Sequence, residues 1–286
     1  MRCMPIFICS AALAVLTVSC GVSDSDSGPE TFTFAVLDVG QGLAQLGSMQ
    51  DRAVAWDMGP PEGYRGWREG YEDLGRPRLE AVVVSHSDLD HRGGMSRLGG
   101  GVDFSGLIVT SPHEDTTLIR STSGAWSNKV RFRCVARGDT LGMLPGVYVE
   151  CIWPPAEIDE KVPLNESGPK NAYSLCFRIV YDRTTVLITS DIDTTACGAL
   201  SLSRNYELQA DLFVVPHHGS RGSVDPVFFG YVAPLLAIVS CGPPPNRYGH
   251  PSDEVLDLLF EMGARVVGTY DRGHVVRTSN GEYWQR

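Results

Sequence analysis

The sequence predicts a mixed α/β (α+β) protein built from two sheets packed face to face, with helices on the outside. Three observations predict it. Apolar, β-branched runs recur along the chain and far outnumber helical repeats. Several of these runs stop abruptly at Asp or His, as buried strands do where they emerge at a sheet edge. The stretch 253–262, with Val255, Leu256, Leu258 and Leu259 apolar, has amphipathic helical spacing and would cover a sheet from outside.

Taken in order, Thr31 to Leu37 reads as a strand ending in Asp38-Val39-Gly40-Gln41-Gly42. Leu43 to Leu46 and Ala53 to Trp56 follow as strands, the second closing in Asp57-Met58-Gly59. Residues 60–78 read as a loop rich in Gly, Pro and Arg that carries Tyr64, Trp67 and Tyr71. The run Val82-Val83-Val84 comes next, and Gly93-Gly94 are expected to open a helix. Strand character resumes at Leu107 to Thr110, whereas 113–129 is polar and suggests no element. Val130 to Val135 and Val147 to Trp153 are expected to pair with each other, and Pro154 to Pro169 to form a loop. Ser174 to Tyr181 and Thr185 to Thr189 suit a hairpin. Asp211 to Val215, Ala233 to Ser240, Arg265 to Thr269 and His274 to Thr278 complete the strands.

With 286 residues, 43% of them hydrophobic, the chain has material for one sizeable domain, expected over residues 31–286. The first thirty residues stand apart. Arg2 precedes an apolar stretch, Ile6 to Val18, too short for a comfortable membrane span, so residues 1–19 read as a secretory signal peptide. Leu16-Thr17-Val18-Ser19-Cys20 resembles a bacterial lipoprotein cleavage site, with Cys20 the acylated residue and residues 20–30 a polar tether. The expectation is an exported protein held on the cell envelope by its lipid, periplasmic or extracellular, with no transmembrane helix in the mature chain. Cys134, Cys151, Cys176, Cys197 and Cys241 form an odd set without CxxC spacing, so at least one thiol stays free. A Cys134–Cys151 bridge is open, but the apolar setting of several of these residues favours small buried side chains over a zinc cluster. The net charge of −10, without a Lys/Arg stripe, argues against broad non-specific nucleic-acid binding, although divalent cations would reverse the sign locally.

The chemistry concentrates at strand ends. His86-Ser87-Asp88-Leu89-Asp90-His91 places two imidazoles and two carboxylates in six residues just past a buried strand, a nitrogen and oxygen set suited to one or two divalent cations. Asp191 follows the run Thr185-Thr-Val-Leu-Ile-Thr-Ser, and His217-His218 follow Asp211-Leu-Phe-Val-Val-Pro. His250 sits in a turn, Asn246-Arg-Tyr-Gly-His-Pro251, before the helix. Alone, each has a dull alternative: a helix cap or an ordinary turn. Together they are how a two-metal site is assembled along one sheet edge.

In this order the motifs resemble the metallo-β-lactamase superfamily, and within it the ComEC-type hydrolase domain of DNA-uptake proteins. The similarity rests on Leu37 to Gly42, Asp57 with Gly59, His86-x-Asp88-x-Asp90-His91-x-Gly93-Gly94, Asn171 with Ser174, Asp191, Pro216 to Ser220, and Tyr248 to Pro251, and it covers about residues 32–280. It implies a four-layer αββα sandwich and two divalent metal ions, Mn²⁺ or Zn²⁺. His86 and Asp88 would bind one metal and Asp90 and His91 the other; Asp191 would bridge them and His217 would complete the coordination of the second metal. Asp38, Gln41 and Asp57 would support the ligands, with Asn171 and His218 close by. Many relatives have His where Asp88 stands and a further ligand His where this chain offers Asn171, His113 being out of register. The oxygen-richer set shifts preference toward Mn²⁺ or Mg²⁺, with Zn²⁺ still competitive. Ser190 replaces the Gly usual before the bridging Asp.

Two cations about 3.5–4 Å apart would turn a bridging water into hydroxide and neutralise charge on a phosphoryl or carbonyl oxygen. Asp90 would orient that water. His250 is a candidate general acid, with a structural role as the alternative. Ser220, Arg221 and Arg247 are candidates to hold a phosphate. The leading expectation is a metal-dependent phosphodiesterase, nuclease-like and acting on DNA or a small phosphodiester. The alternatives are hydrolysis of another ester, a lactone or a thioester, or a metal-binding lipoprotein without turnover. Fold analogy does not choose among them.

Overall fold

The computed structural model describes residues 30–157, 169–203 and 207–286. The leader, Cys20 and the tether up to residue 29 lie outside the described residues, as does most of the loop expected from Pro154 to Pro169. The first half runs β1 (Phe32–Val36), β2 (Ala44–Met49), β3 (Arg52–Met58), α1 (Tyr64–Asp73), β4 (Arg78–Val84), α2 (Leu89–Arg92), β5 (Leu107–Thr110), α3 (Thr116–Thr122) and β6 (Arg131–Cys134). Then come β7 (Tyr148–Trp153), α4 (Pro169–Ala172), β8 (Cys176–Tyr181), β9 (Thr184–Ile188), α5 (Thr194–Leu202), β10 (Leu212–Val214) and α6 (Pro226–Val232). The chain closes with β11 (Leu236–Val239), α7 (Asp253–Glu261), β12 (Arg265–Gly268), α8 (Thr269–Arg272), β13 (Val275–Ser279) and β14 (Trp284–Gln285).

These strands form an eight-stranded sheet, β14-β13-β1-β2-β3-β4-β5-β6, and a six-stranded sheet, β12-β11-β10-β9-β8-β7. Alternation along each strand sends side chains to opposite faces. In β1, Phe32, Phe34 and Val36 join the core between the sheets while Ala35 joins the core under the outer helices. In β10, Leu212 and Val214 face the first sheet, and Phe213 faces Phe228 and Phe229 of α6 at 6.3 and 5.2 Å. Three apolar layers thus separate four structural layers, the αββα sandwich the resemblance implied. Trp56 marks the central layer, its ring 6.4 Å from Phe34 in its own sheet and 6.4 Å from Phe177 in the other.

Several local expectations are corrected. Residues 64–73 are helical, because Trp67 and Tyr71 present one buried face and stack at 5.3 Å, while Arg65–Glu69 and Arg68–Glu72 pair along the exposed face. Gly93 and Gly94 do open a helix, the short 3₁₀ segment Gly93–Arg97, which follows α2 directly. The polar stretch 113–129 contains α3, capped by Asp115, whose carboxylate accepts from the amides of Thr117 and Leu118. β6 and β7 do not pair: β6 lies beside β5 in the first sheet and β7 beside β8 in the second. α5 and α6, each capped by an Asp, were not anticipated.

The cysteines are free among the described residues, and the Cys134–Cys151 bridge does not form. Cys151, Cys176, Cys197 and Cys241 are buried, and burial holds the thiols of Cys151 and Cys241 up at about 12. Of these five, Cys134 alone is exposed. Iodoacetamide at pH 8 should therefore label Cys134 in the native protein and spare the other four, as read by peptide mass spectrometry. Labelling of Cys151 or Cys176 as fast as Cys134 would contradict this packing.

Candidate metal centre

Strands β3, β4, β9, β10 and β11 end at one edge of the sandwich, and the polar residues that follow them converge there. His86 stands two residues past the end of β4, and α2 starts three residues later, so Asp88, Asp90 and His91 lie around one tight turn. A Cβ at Gly94 would sit 2.2 Å from the carbonyl oxygen of Met58, so this turn can lie against the end of β3 only with glycine there. Asp191 leaves β9 through Ser190, whose φ of +45° is in the left-handed region where glycine is usual. The Ser190 hydroxyl donates to the Leu175 carbonyl at 2.8 Å, which ties down the substituted side chain. His217 and His218 are consecutive left-handed residues, φ +50° and +57°, and both imidazoles turn toward the same edge.

Each inward imidazole is fixed from behind. Asp57, at the end of β3, accepts from the backbone N–H of Ser85 at 2.8 Å, from the Ser85 hydroxyl at 2.6 Å and from His91 Nδ1–H at 2.7 Å. With its own proton given to Asp57, the Ser85 oxygen is left to accept from His86 Nδ1–H at 3.0 Å. One buried carboxylate thereby sets the tautomers of both histidines and leaves each Nε2 as an inward lone pair. His218 is held the same way, Nδ1–H donating to the Ser240 carbonyl at 2.8 Å.

The inward atoms have no partners in the protein. Nε2 of His86, His91 and His218 and Oδ1 of Asp191 are buried without a hydrogen bond. His91 Nε2 lies 3.1 Å from Asp191 Oδ1, close in distance but not aligned as a hydrogen bond. Two overlapping groups result. His86, His91 and Asp191 offer atoms within 4.8 Å of one another, and so do Asp90, His91 and His218. Asp88 Oδ2 is 3.6 Å from His86 Nε2, and Asp191 Oδ2 is 3.9 Å from His86 and 3.6 Å from His218. Asp191 thus faces both groups. Buried nitrogen and carboxylate donors pointing at one another are what divalent cations require, so the donor set fits the implied metals.

The electrostatics agree. Burial would raise the Asp191 carboxyl, but the charges of His91 and His218 outweigh it and hold it well below the usual carboxylate range. Asp90 is also lowered, burial being overcome by the nearby His218 and His91 imidazoles. Burial opposes protonation of His91 and His218, yet the neighbouring carboxylates raise both. Ionised acids here draw positive charge into the cluster, and a cation would supply it while displacing those protons.

His218, not His217, is the histidine beside Asp90, at 3.5 Å. His217 lies on the other side, its Nε2 accepting from Asn171 Nδ2 at 3.4 Å and standing 3.8 Å from Asp191. Adjacent residues in the left-handed turn diverge, and the sequence assigned the wrong one of the pair to this group. His250 packs over both, 5.7 Å from the His217 ring and 6.1 Å from the His218 ring. Burial and the His218 and His217 charges lower it to about 4, which favours the neutral imidazole at pH 7 over the protonated form expected of a general acid. Gln41 braces this corner, with Nε2 3.5 Å from His250 Nδ1 and Oε1 accepting from the Gly242 amide at 3.1 Å. Asp38 caps the amide of Gly40 at 3.2 Å and makes no contact with the cluster among the described residues. At the rim, the Ser220 hydroxyl oxygen accepts from the Gly222 amide, Arg221 pairs with Glu254, and Arg247 lies over the Tyr248 ring. Ser85 and Ser240 were missed by sequence reading; Ser85 stands immediately before His86, the only hint available. Because Asp57 orients two inward histidines, Asp57→Asn should weaken Mn²⁺ or Zn²⁺ binding about 10–100-fold, measured by competition with a fluorescent chelator. Unchanged affinity would show that this carboxylate does not set the imidazoles.

No family model matches the chain. Competence protein ComA of Neisseria gonorrhoeae is 27% identical over 237 residues, covering 82% of this chain and 30% of that protein. ComE operon protein 3 of Bacillus subtilis is 26% identical over 264 residues, covering 84% of this chain and 32% of that protein. The chain therefore spans about a third of the length of the curated relatives it matches. Among solved structures, the metallo-β-lactamase fold protein YhfI of Bacillus subtilis superposes with a TM-score of 0.55 at 12% identity, covering 86% of this chain and all of that one. Zn²⁺-bound PqqB of Methylobacterium extorquens superposes with a TM-score of 0.53 at 11% identity, covering 85% of this chain and 99% of that one. The two-sheet architecture, the ligand-bearing strand ends and these similarities agree: the chain has the metallo-β-lactamase fold and is similar in sequence to ComEC-type proteins.

Proposed function

We propose that the chain is an extracytoplasmic, metal-dependent phosphodiesterase that takes nucleic acid or a small phosphodiester and uses two divalent cations, Mn²⁺ or Zn²⁺. The observation that carries the reading is the convergence of buried, unpartnered His86, His91, His218 and Asp191 atoms at one sheet edge. His86, Asp88 and Asp191, with His217 and Asn171 alongside, would hold one cation; Asp90, His91, His218 and Asp191 would hold the other. When bound, the cations would acidify a water and draw charge from the phosphoryl oxygen under attack. The chain's own part is positioning. Asp57 and Ser85 keep two imidazoles from rotating, and Asp191 stands between the groups, with Oδ1 nearest His91 and Oδ2 between His86 and His218. Neutral His250, braced by Gln41, serves as a hydrogen-bonding wall where the leaving group would lie. A cavity of about 480 Å³ opens beside it, lined by Ser220, Asn246, Tyr248 and His250, and offers room for one nucleotide unit. The competence protein among the relatives supports nucleic acid as the kind of substrate. The apolar leader and Cys20 support a lipid anchor outside the cytoplasm. Among the described residues no helix is long and apolar enough to cross a membrane.

One observation favours a second reading. With a net charge of −10, the protein does not attract polyanions at long range, which suits a small or uncharged ester, lactone or thioester. Purified protein with Mn²⁺ or Zn²⁺, tested on single- and double-stranded DNA, bis-p-nitrophenyl phosphate, lactones and thioesters, separates the two. Diester cleavage that falls at least about a hundredfold in Asp191→Ala, and likewise in His218→Ala, is the expected result. Lactone or thioester cleavage alone favours the second reading. Stoichiometric metal binding with no turnover would overturn both.

A further inference from the structure

A second cavity, about 380 Å³, lies at the opposite end of the sheets, where β13 and β14 of one sheet meet the starts of β10, β11 and β12 of the other. The parallel strand β10 begins on this cavity at Leu212 and runs away from it toward His217 and His218, so the two sites occupy opposite ends of the same strand. Four arginines line the cavity: Arg183, Arg265, Arg277 and Arg286. None of them forms an ion pair among the described residues, although other arginines of this chain pair with Glu or Asp. Two carboxylates share the space. One, Asp211, is engaged at the strand end, accepting from the Thr185 amide at 2.8 Å and hydroxyl at 3.1 Å; the other, Glu282, is exposed. Burial, then the nearby charges of Arg265 and Arg286, lower the proton affinity of Arg277. Arg183, Arg265 and Arg286 are exposed and Arg277 is half-buried, so their guanidinium groups are open to an anion that enters the hollow. Leu212, Leu235 and Leu236 give the wall an apolar part, and it includes the Trp284 indole, whose buried Nε1–H has no acceptor.

We infer that this cavity binds a small organic phosphate monoester with a planar or apolar body, of which a mononucleotide is the test case. The four guanidinium groups outnumber the side-chain carboxylates of Asp211 and Glu282, a positive excess suited to a phosphomonoester, which carries about two negative charges near neutral pH. Planar guanidinium forks suit phosphate oxygens, and the Trp284 and Leu236 surfaces suit the body of the ligand. The volume suits a small molecule and not a polymer. The inference is independent of any catalytic role for the metal centre.

Calorimetric titration of the protein with deoxyadenosine monophosphate, in chelator so that no cation site contributes, tests it. Binding should be present in wild type and in Asp191→Ala, and should weaken about tenfold or more in Arg265→Ala and in Arg277→Ala. Arg265 is exposed, so its replacement leaves the fold intact, which circular dichroism would check. Adenosine should bind at least about tenfold more weakly than the monophosphate, and inorganic phosphate should be sensitive to the same substitutions. No binding at millimolar monophosphate would overturn the inference. So would binding indifferent to Arg265 and Arg277, equal binding of adenosine, or binding of single-stranded DNA with none of the mononucleotide.

Discussion

Four buried polar atoms that have nothing in the protein to bond with set the terms for the rest of this molecule: Nε2 of His86, His91 and His218, and Oδ1 of Asp191. Each such atom costs about 1–3 kcal/mol when removed from water without a partner. Folded chains leave few such atoms, and these four share a single edge. Rotation cannot relieve them, because the other nitrogen of each imidazole is already committed to Ser85, Asp57 or the Ser240 carbonyl. Only something that binds all of them at once removes the cost, and nitrogen and oxygen donors in this arrangement suit divalent cations.

The sandwich makes that arrangement possible. Three apolar layers clamp the strands, so the polar residues that follow them inherit the rigidity of the sheets. Backbone strain is concentrated at the same edge. Asp57, Ser190, His217 and His218 all have φ between +45° and +57°, conformations that cost side-chain-bearing residues of order 1 kcal/mol or more each. Strained turns at the ends of well-packed strands aim side chains that a relaxed strand exit would send elsewhere. The acidic surface and the arginine cavity sit within the same frame, at a distance from this edge, so the charge pattern of the chain is local and not global.

Much of this was legible in the sequence. The buried runs before His86, Asp191 and His217 are strands, the helix at 253–262 is present, and the layered architecture follows from strand ends bearing Asp and His. What was not legible depended on tertiary context. Composition made residues 64–73 look like a loop, yet Trp67 and Tyr71 find a sheet to pack on and the segment is helical. The neighbouring runs 131–134 and 148–153 looked like partners, but the chain changes sheets between them. His217 and His218 are indistinguishable in sequence, and only two consecutive left-handed residues decide which imidazole meets Asp90. Asp57 shows no sign in sequence that it serves both His86 and His91, since Ser85 relays one of those contacts. The arginine cavity draws on residues from 183 to 286 that only topology brings together.

Anomalous diffraction from crystals soaked in Mn²⁺ tests the central claim most directly. The account predicts two peaks about 3.5–4 Å apart, on either side of Asp191, one within bonding distance of His86 and the other of Asp90 and His218. Peaks elsewhere on the surface, with His86, His91 and His218 left uncoordinated, would contradict it.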